Sequence, residues 1–199
     1  MTALTVRSTV GFNVADAAVD HQVRAGHGGD VAIRWIGQDR ADLDDPLDID
    51  YSMLARRSSR FASALRRHGA TAGTVVSTVL GRVPDLYVAA LGTWKAGGVF
   101  APLPTSWGPQ PTADRLRLGR VGVAITSPTL FRRTLAPMLD RLPDLELVLI
   151  CGASEDQTAR SIMRPGAGPS VMSCGAFLCD GVDAFDIDAT AADSPAILH

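Results

Sequence analysis

The stretch from Val75 to Leu103 constrains the fold more than any other part of this chain. Val75 to Leu80 is an unbroken run rich in β-branched residues, the pattern of a strand buried on both faces in a parallel sheet. Pro84 follows and suits the first position of a helix, where its missing N–H leaves no partner unsatisfied. The segment Pro84 to Ala96 is apolar almost all round, through Leu86, Val88, Ala89, Ala90, Leu91 and Trp94, so the helix it predicts is packed on most sides. Gly97-Gly98 ends that helix, and Val99 to Leu103 reads as the next strand. Two strands joined by a crossing helix run parallel, and such a unit calls for more of its kind on either side.

The sequence supplies them. Thr112 to Leu118 predicts a short helix and Val121 to Thr126 a strand. Ser127 is a natural N-cap with Pro128 behind it, and Phe131, Leu135, Met138 and Leu142 make one stripe along a helix reaching Leu142. Leu145 to Ile150 is a further strand. Upstream, Tyr51 to His68 predicts a helix with Leu54, Ser58, Phe61 and Leu65 on its buried face, stopped by Gly69 in a left-handed cap. Its arginines 56, 57, 60, 66 and 67 mostly lie off that face, in water. Before it, Phe12 to His27 has a helical pattern, Val31 to Trp35 alternates as a strand does, and Gln38 to Asp50 is an acidic exposed loop or hairpin. The fold class is therefore α/β, with a mostly parallel sheet and helices on both faces. Residues 153–170 are polar and carry Pro165, Gly166, Gly168 and Pro169, which predicts a loop or linker. One short strand and a helix start are expected between Cys174 and Asp188, and Ser194 to His199 reads as a turn leading into a strand that is cut off.

The 199 residues suit one domain with a proper core, and 46% hydrophobic against 20% charged residues is a globular composition. A net charge of −2 gives no pull toward nucleic acid or anionic membrane. Leu86 to Leu103, the longest apolar stretch, is interrupted by Lys95 and Gly97-Gly98, so no membrane span is expected. Met1 to Asn13 has no basic start followed by an apolar run, so it does not read as a secretory signal. Cys151, Cys174 and Cys179 are odd in number and form no CxxC pair, which points to a reduced, cytoplasmic chain.

A self-contained active site is hard to find. The sequence holds no GxxxxGK[ST] and no GxSxG, and Gly26-x-Gly28-Gly29 lacks the strand-to-helix setting of a dinucleotide loop. His21, His27, His68 and His199 fall in no metal-ligand spacing, and Asp42, Asp44 and Asp45 read as a solvated acidic loop. Two places carry more. Pro102 to Pro109 is a Pro- and Gly-rich loop with small hydroxyl residues beyond a buried strand, where open α/β sheets bind ligands. Arg132-Arg133 lies near the start of a helix, where guanidinium groups and helix N–H groups together suit an anion.

From Leu80 the wording becomes specific. Leu80-Gly-Arg-Val-Pro-Asp-Leu-Tyr-Val-Ala-Ala-Leu-Gly-Thr-Trp-Lys-Ala-Gly-Gly-Val-Phe-Ala-Pro-Leu103 resembles the adenylate-forming superfamily, in which Pro plus an acid, an apolar helix, Lys-Ala-Gly and Pro-Leu recur. Gly-Arg-Val-Pro-Asp-Leu-Tyr and Gly108-Pro-Gln-Pro111 resemble the acetate–CoA ligase branch of the AMP-forming acyl-CoA synthetases. The resemblance implies that residues 1–199 are a truncated N-terminal part of an AMP-binding (adenylate-forming) domain. Its members join ATP, with Mg, to a carboxylate as an acyl-adenylate and then pass the acyl group to CoA. Their Ser/Thr/Gly-rich phosphate loop follows a strand like Ser194 to His199, and their acyl pocket, ribose-binding segment and catalytic Lys lie further on.

What carries over is part of a CoA or nucleotide surface: Pro104, Thr105, Ser106 and Arg132, with Arg133 as neighbour, and with no catalytic residue, metal ligand or firmly bound cofactor. Two departures stand out. Gln110 replaces an acid that relatives often have, and Gly73-Thr74 stands where Gly-Asp is usual. The expected function is that of an N-terminal fragment of an acetate/acyl–CoA ligase, inactive alone, with the remainder of the ligase in cis or trans. The alternative is a stand-alone α/β module that binds CoA or a nucleotide, or pairs with a complete ligase, without catalysis. A third reading, a decayed gene product, would leave a sheet edge bare and open to aggregation or dimerisation.

Overall fold

The computed structural model describes residues 12–37, 46–152 and 168–199. The N-terminal part winds through π-helical turns at Asp16–Asp20 and Val23–His27, with a kink at Gly26, whose φ is +93°. A small antiparallel ribbon follows, β1 (Val31–Trp35) against β2 (Leu47–Asp50), so the hairpin reading of this region holds where it is described. Residues 38–45, with Asp42, Asp44 and Asp45, lie outside the described residues. Asp50 then caps α1 (Tyr51–Arg67), its carboxylate accepting from the Met53 N–H at 2.6 Å. Gly69 adopts φ +88°, the left-handed stop that its position demanded.

The main sheet contains β3 (Val75–Val79), β4 (Val99–Pro102), β5 (Val123–Thr126), β6 (Leu147–Ile150) and β7 (Ser170–Ser173). They pair in the order β4-β3-β5-β6-β7, and every pair is parallel. The helix α2 (Pro84–Lys95) connects β3 to β4, and α3 (Pro109–Leu118) connects β4 to β5. The α3 helix starts three residues ahead of the expected Thr112, because Pro109 occupies its first position behind the extended Gly108.

Period-two alternation in the strands sorts side chains into two cores. Val76, Phe100, Val123, Ile125, Leu147 and Leu149 face α1 and α2, together with Phe61, Leu65 and Val88. Ala124, Val148 and Ile150 face α3 and the segment beyond β5, with Leu116, Phe131 and Leu135. Helices thus cover both faces, as a sheet of buried parallel strands requires.

The segment after β5 differs from expectation. The helix foreseen to Leu142 is three pieces: α4 (Pro128–Leu130), a π turn at Phe131–Leu135 and a 3₁₀ turn at Ala136–Arg141. Pro137 is the cause, since it has no N–H to donate and its ring clashes with the preceding turn. The stripe survives the break: Phe131, Leu135, Met138 and Leu142 are all buried.

The last strand begins earlier than its polar surroundings suggested. Ser170–Ser173 is β7, with α5 (Cys174–Cys179) directly behind it. Residues 153–167 of the expected loop lie outside the described residues, and Ser170 belongs to the sheet. The expectation of three reduced cysteines is corrected here. Cys151 and Cys174 form a disulfide, with Cα atoms 5.0 Å apart, and Cys179 is free and exposed. Parallel register is the physical reason: Ile150 pairs with Ser173, so the next residues on the two strands are Cys151 and Cys174. At the other edge the chain end lies along β4. Phe100 donates to the Ala196 carbonyl and accepts from the Leu198 N–H, both at 3.0 Å, which begins the foreseen terminal strand. Among the described residues no helix is long and apolar enough to cross a membrane.

Candidate functional site

Strand order locates the site before any side chain is considered. From β3 the chain moves to β4 on one side, then returns past β3 to β5 on the other. The connection leaving β3 runs over one face and the connection leaving β5 over the other. Between their carboxyl ends the loops part, and open α/β sheets bind ligands in that crevice. A cleft of about 480 Å³ lies there. Its walls are Leu80, Gly81 and Val83 from the β3 loop and Ser127 and Leu130 from the β5 loop. Thr105 comes from the β4 loop, and Cys151 and Gly152 from the end of β6.

Two expected site residues meet in this cleft. Thr105 lies in the turn after β4 and Arg133 in the π turn after α4. The Arg133 guanidinium donates from Nη2 to the Thr105 carbonyl oxygen at 2.7 Å. A guanidinium carries five N–H donors, so this one bond orients the group and leaves others for an anion. The cleft also receives Asp85 from the first turn of α2, and Arg57 Nη2 holds that carboxylate at 3.1 Å. Arg57 therefore balances the acid and leaves Arg133 as the cation among the described residues of the cleft wall.

The other expected residues stand apart. Pro104 and Ser106 are exposed on the same turn as Thr105, and neither lines the cleft. Arg132 is exposed, and it too lies outside the lining. Consecutive residues on a helical turn point about 100° apart, so Arg132 and Arg133 do not share a target. The departure at Gln110 has a structural role of its own. Its Nε2 donates to Asp114 at 3.0 Å and its Oε1 accepts from Arg141 at 3.1 Å, bridging α3 to the 3₁₀ turn.

Sequence reasoning passed over Gly81, Asp85, Ser127, Cys151 and Gly152 as site residues. Their shared signal is position: each follows directly on the carboxyl end of a strand or opens the next helix. A larger concavity, about 830 Å³, opens at the opposite end of the sheet between Gly73, Gly122, Asp144 and Ser170. It lies at the amino ends of the strands, away from the switch point, so the smaller cleft is the candidate. Among the described residues no group of three or more His, Cys, Asp or Glu converges as a metal site.

Comparison with known proteins gives this geometry a family. The family model described as "AMP-binding enzyme" matches residues 19–196. Acetyl-coenzyme A synthetase of Mycobacterium tuberculosis (strain H37Rv) is 37% identical over 86 residues, 43% of this chain and 13% of that protein. Acetyl-coenzyme A synthetase of Bacillus subtilis is 27% identical over 146 residues, 73% of this chain and 24% of that protein. The crystal structure of the Brucella canis acyl-CoA synthetase superposes with a TM-score of 0.72 at 21% identity, over 94% of this chain and 31% of that one. The chain thus spans under a third of the length of these proteins. With a match across nearly its whole length, the chain belongs to the AMP-binding enzyme family.

Proposed function

We propose that these residues are the N-terminal region of an AMP-forming acetate/acyl–CoA ligase, and that the cleft at the strand reversal forms part of its CoA or nucleotide surface. The observation that carries the reading is the meeting of Thr105 and Arg133 in that cleft. Arg133 is held by a neutral carbonyl, so its positive charge stays uncompensated by that bond and available to a phosphate. Pro104 and Ser106 keep the neighbouring turn open to solvent, and Arg132 offers a second cation just outside.

The chain's own groups bind and orient an anion in this reading; they do not perform adenylation. Among the described residues the cleft holds no Gly-rich phosphate-cradling motif, and the carboxylate in its lining, Asp85, is engaged by Arg57. The remainder of the ligase, in cis or in trans, supplies the reacting site for ATP with its Mg and for the carboxylate. A cytoplasmic site of action accompanies those substrates, and neither nucleic acid nor membrane is a partner at a net charge of −2.

Calorimetric titration of the purified chain with CoA, ATP and AMP tests the proposal. Saturable one-site binding of CoA or a nucleotide is expected, without acetate-dependent ATP–pyrophosphate exchange. Absence of binding by all three overturns the assignment of the cleft, and exchange activity overturns the division of labour.

A further inference from the structure

We propose that Cys151 and Cys174 are a reversible dithiol–disulfide site that locks the outer strand of the sheet and is opened by a dithiol reductant. The inference is independent of which ligand the cleft takes.

The geometry rests on strand register. The two cysteines are adjacent register positions just past the paired ends of β6 and β7, so closing the bond asks for no rearrangement of the strands. What the bond secures is the weakly held edge of the molecule. Among the described residues β7 has a single neighbour, joined through four register pairs, and its residues Ser170 to Met172 are not fully buried. Behind it, α5 lies on α1 through Phe177, whose ring centroid is 5.2 Å from both Phe61 and His68. Outer polar contacts, His68 Nε2 with Asp180 and Arg60 with Asp183, are at least partly solvent-exposed and hold little. The disulfide spans 23 positions of sequence and ties this edge back to the central strands.

Access is unequal at the two sulfurs. Cys151 is 7% exposed, whereas Cys174 is half-buried at the start of α5. A thiolate of the reductant attacks Sγ of Cys174, its new S–S bond forming as the bond to Cys151 breaks. Cys151 leaves as thiolate and takes up a proton. The reductant's second thiol then closes on its own sulfur and releases the Cys174 thiol. The protein disulfide gains two electrons and two protons, and the dithiol becomes its cyclic disulfide. The freed Cys151 stands in the wall of the cleft beside Gly152.

The test is a titration of the chain carrying Cys179→Ser, which removes the exposed third thiol, against dithiothreitol of defined oxidised-to-reduced ratio. Alkylation followed by mass measurement is expected to add two groups per chain in the reduced form and none in the oxidised form. The thermal midpoint is expected to fall by about 5–10 °C on reduction. Hydrogen exchange should accelerate in residues 170–179 and stay unchanged in β3 and β5. Two alkyl additions under fully oxidising conditions would overturn the proposal, as would oxidised and reduced forms that melt and exchange alike. All three readouts work on the Cys151–Cys174 pair intact, so the outcome does not hang on whether a Cys174→Ser variant folds.

Discussion

The Arg133 guanidinium reaches across the cleft to the Thr105 carbonyl, 2.7 Å away, joining the loop after β4 to the turn after β5. Two residues 28 positions apart meet because their strands flank β3 from opposite sides. If this guanidinium is the anion-binding group, Arg133→Ala lowers CoA affinity about tenfold, the loss of one charge-assisted contact. Folding stability changes by less than about 0.5 kcal/mol, because the side chain is exposed. Arg132→Ala, outside the cleft, is expected to cost less. Calorimetry on both variants, with thermal melts alongside, checks the pair.

Lys95 is a charge whose removal the fold is expected to tolerate poorly. It is fully buried, with Nζ 2.7 Å from Asp20 Oδ2 and donating to the Ala55 carbonyl at 3.1 Å and to Ser59 Oγ at 3.0 Å. Lys95→Met leaves the Asp20 carboxylate without its cation and is expected to cost about 3–5 kcal/mol. Asp20→Leu with Lys95→Met recovers most of that loss, as paired removal of a buried ion pair does. Urea denaturation of the single and double variants measures both.

Titration of two groups sets a pH signature in which stability rises with pH in two separate windows, one alkaline and one acid. Burial pushes the Lys95 ammonium below its ordinary value of 10.5, against the pull of Asp20. The unfolded chain therefore holds that proton to higher pH than the folded one, and this group's contribution to stability rises between its folded value and 10.5. The hydrogen bonds from Arg24 hold the Asp16 carboxyl below 3.8. Its contribution is complete above 3.8 and is lost as pH falls through the folded value. Melting curves of the native chain and Asp16→Asn should differ near neutral pH and converge in acid.

Gly92 marks a close approach of α1 and α2. A methyl group added there meets Phe61 Cδ1 at 2.6 Å and the Ser58 backbone oxygen at 2.8 Å. Since backbone cannot move aside, Gly92→Ala is expected to destabilise by about 1–3 kcal/mol despite the higher helix propensity of Ala. Chemical denaturation reads it directly.

What was legible in the sequence follows the physics of each element. The Val75 to Leu103 unit was readable because β-branched runs, Pro84 and Gly97-Gly98 all point to one answer. The break at Pro137 was overlooked because the apolar stripe continues through it, and periodicity does not register a missing donor. β7 was placed late because a four-residue strand with two serines, set among polar neighbours, carries no clear apolar pattern. Lys95 was noted as an interruption of an apolar helix, yet its partner Asp20 lies 75 positions away, beyond any local signal. The same is true of the Cys151–Cys174 bond, which strand register creates. Of the expected site, Thr105 and Arg133 fell into the cleft because each follows a strand's carboxyl end. Pro104, Ser106 and Arg132 are their sequence neighbours and face elsewhere.

The most direct measurement is a heteronuclear NMR titration of the isotope-labelled chain with CoA, read amide by amide. The account predicts saturable shifts at Gly81, Thr105, Ser127, Arg133 and Gly152, the rim of the cleft at the strand reversal. Shifts gathered instead at Gly73, Gly122 and Ser170, in the concavity at the opposite end of the sheet, would contradict it, as would no saturable shift at all.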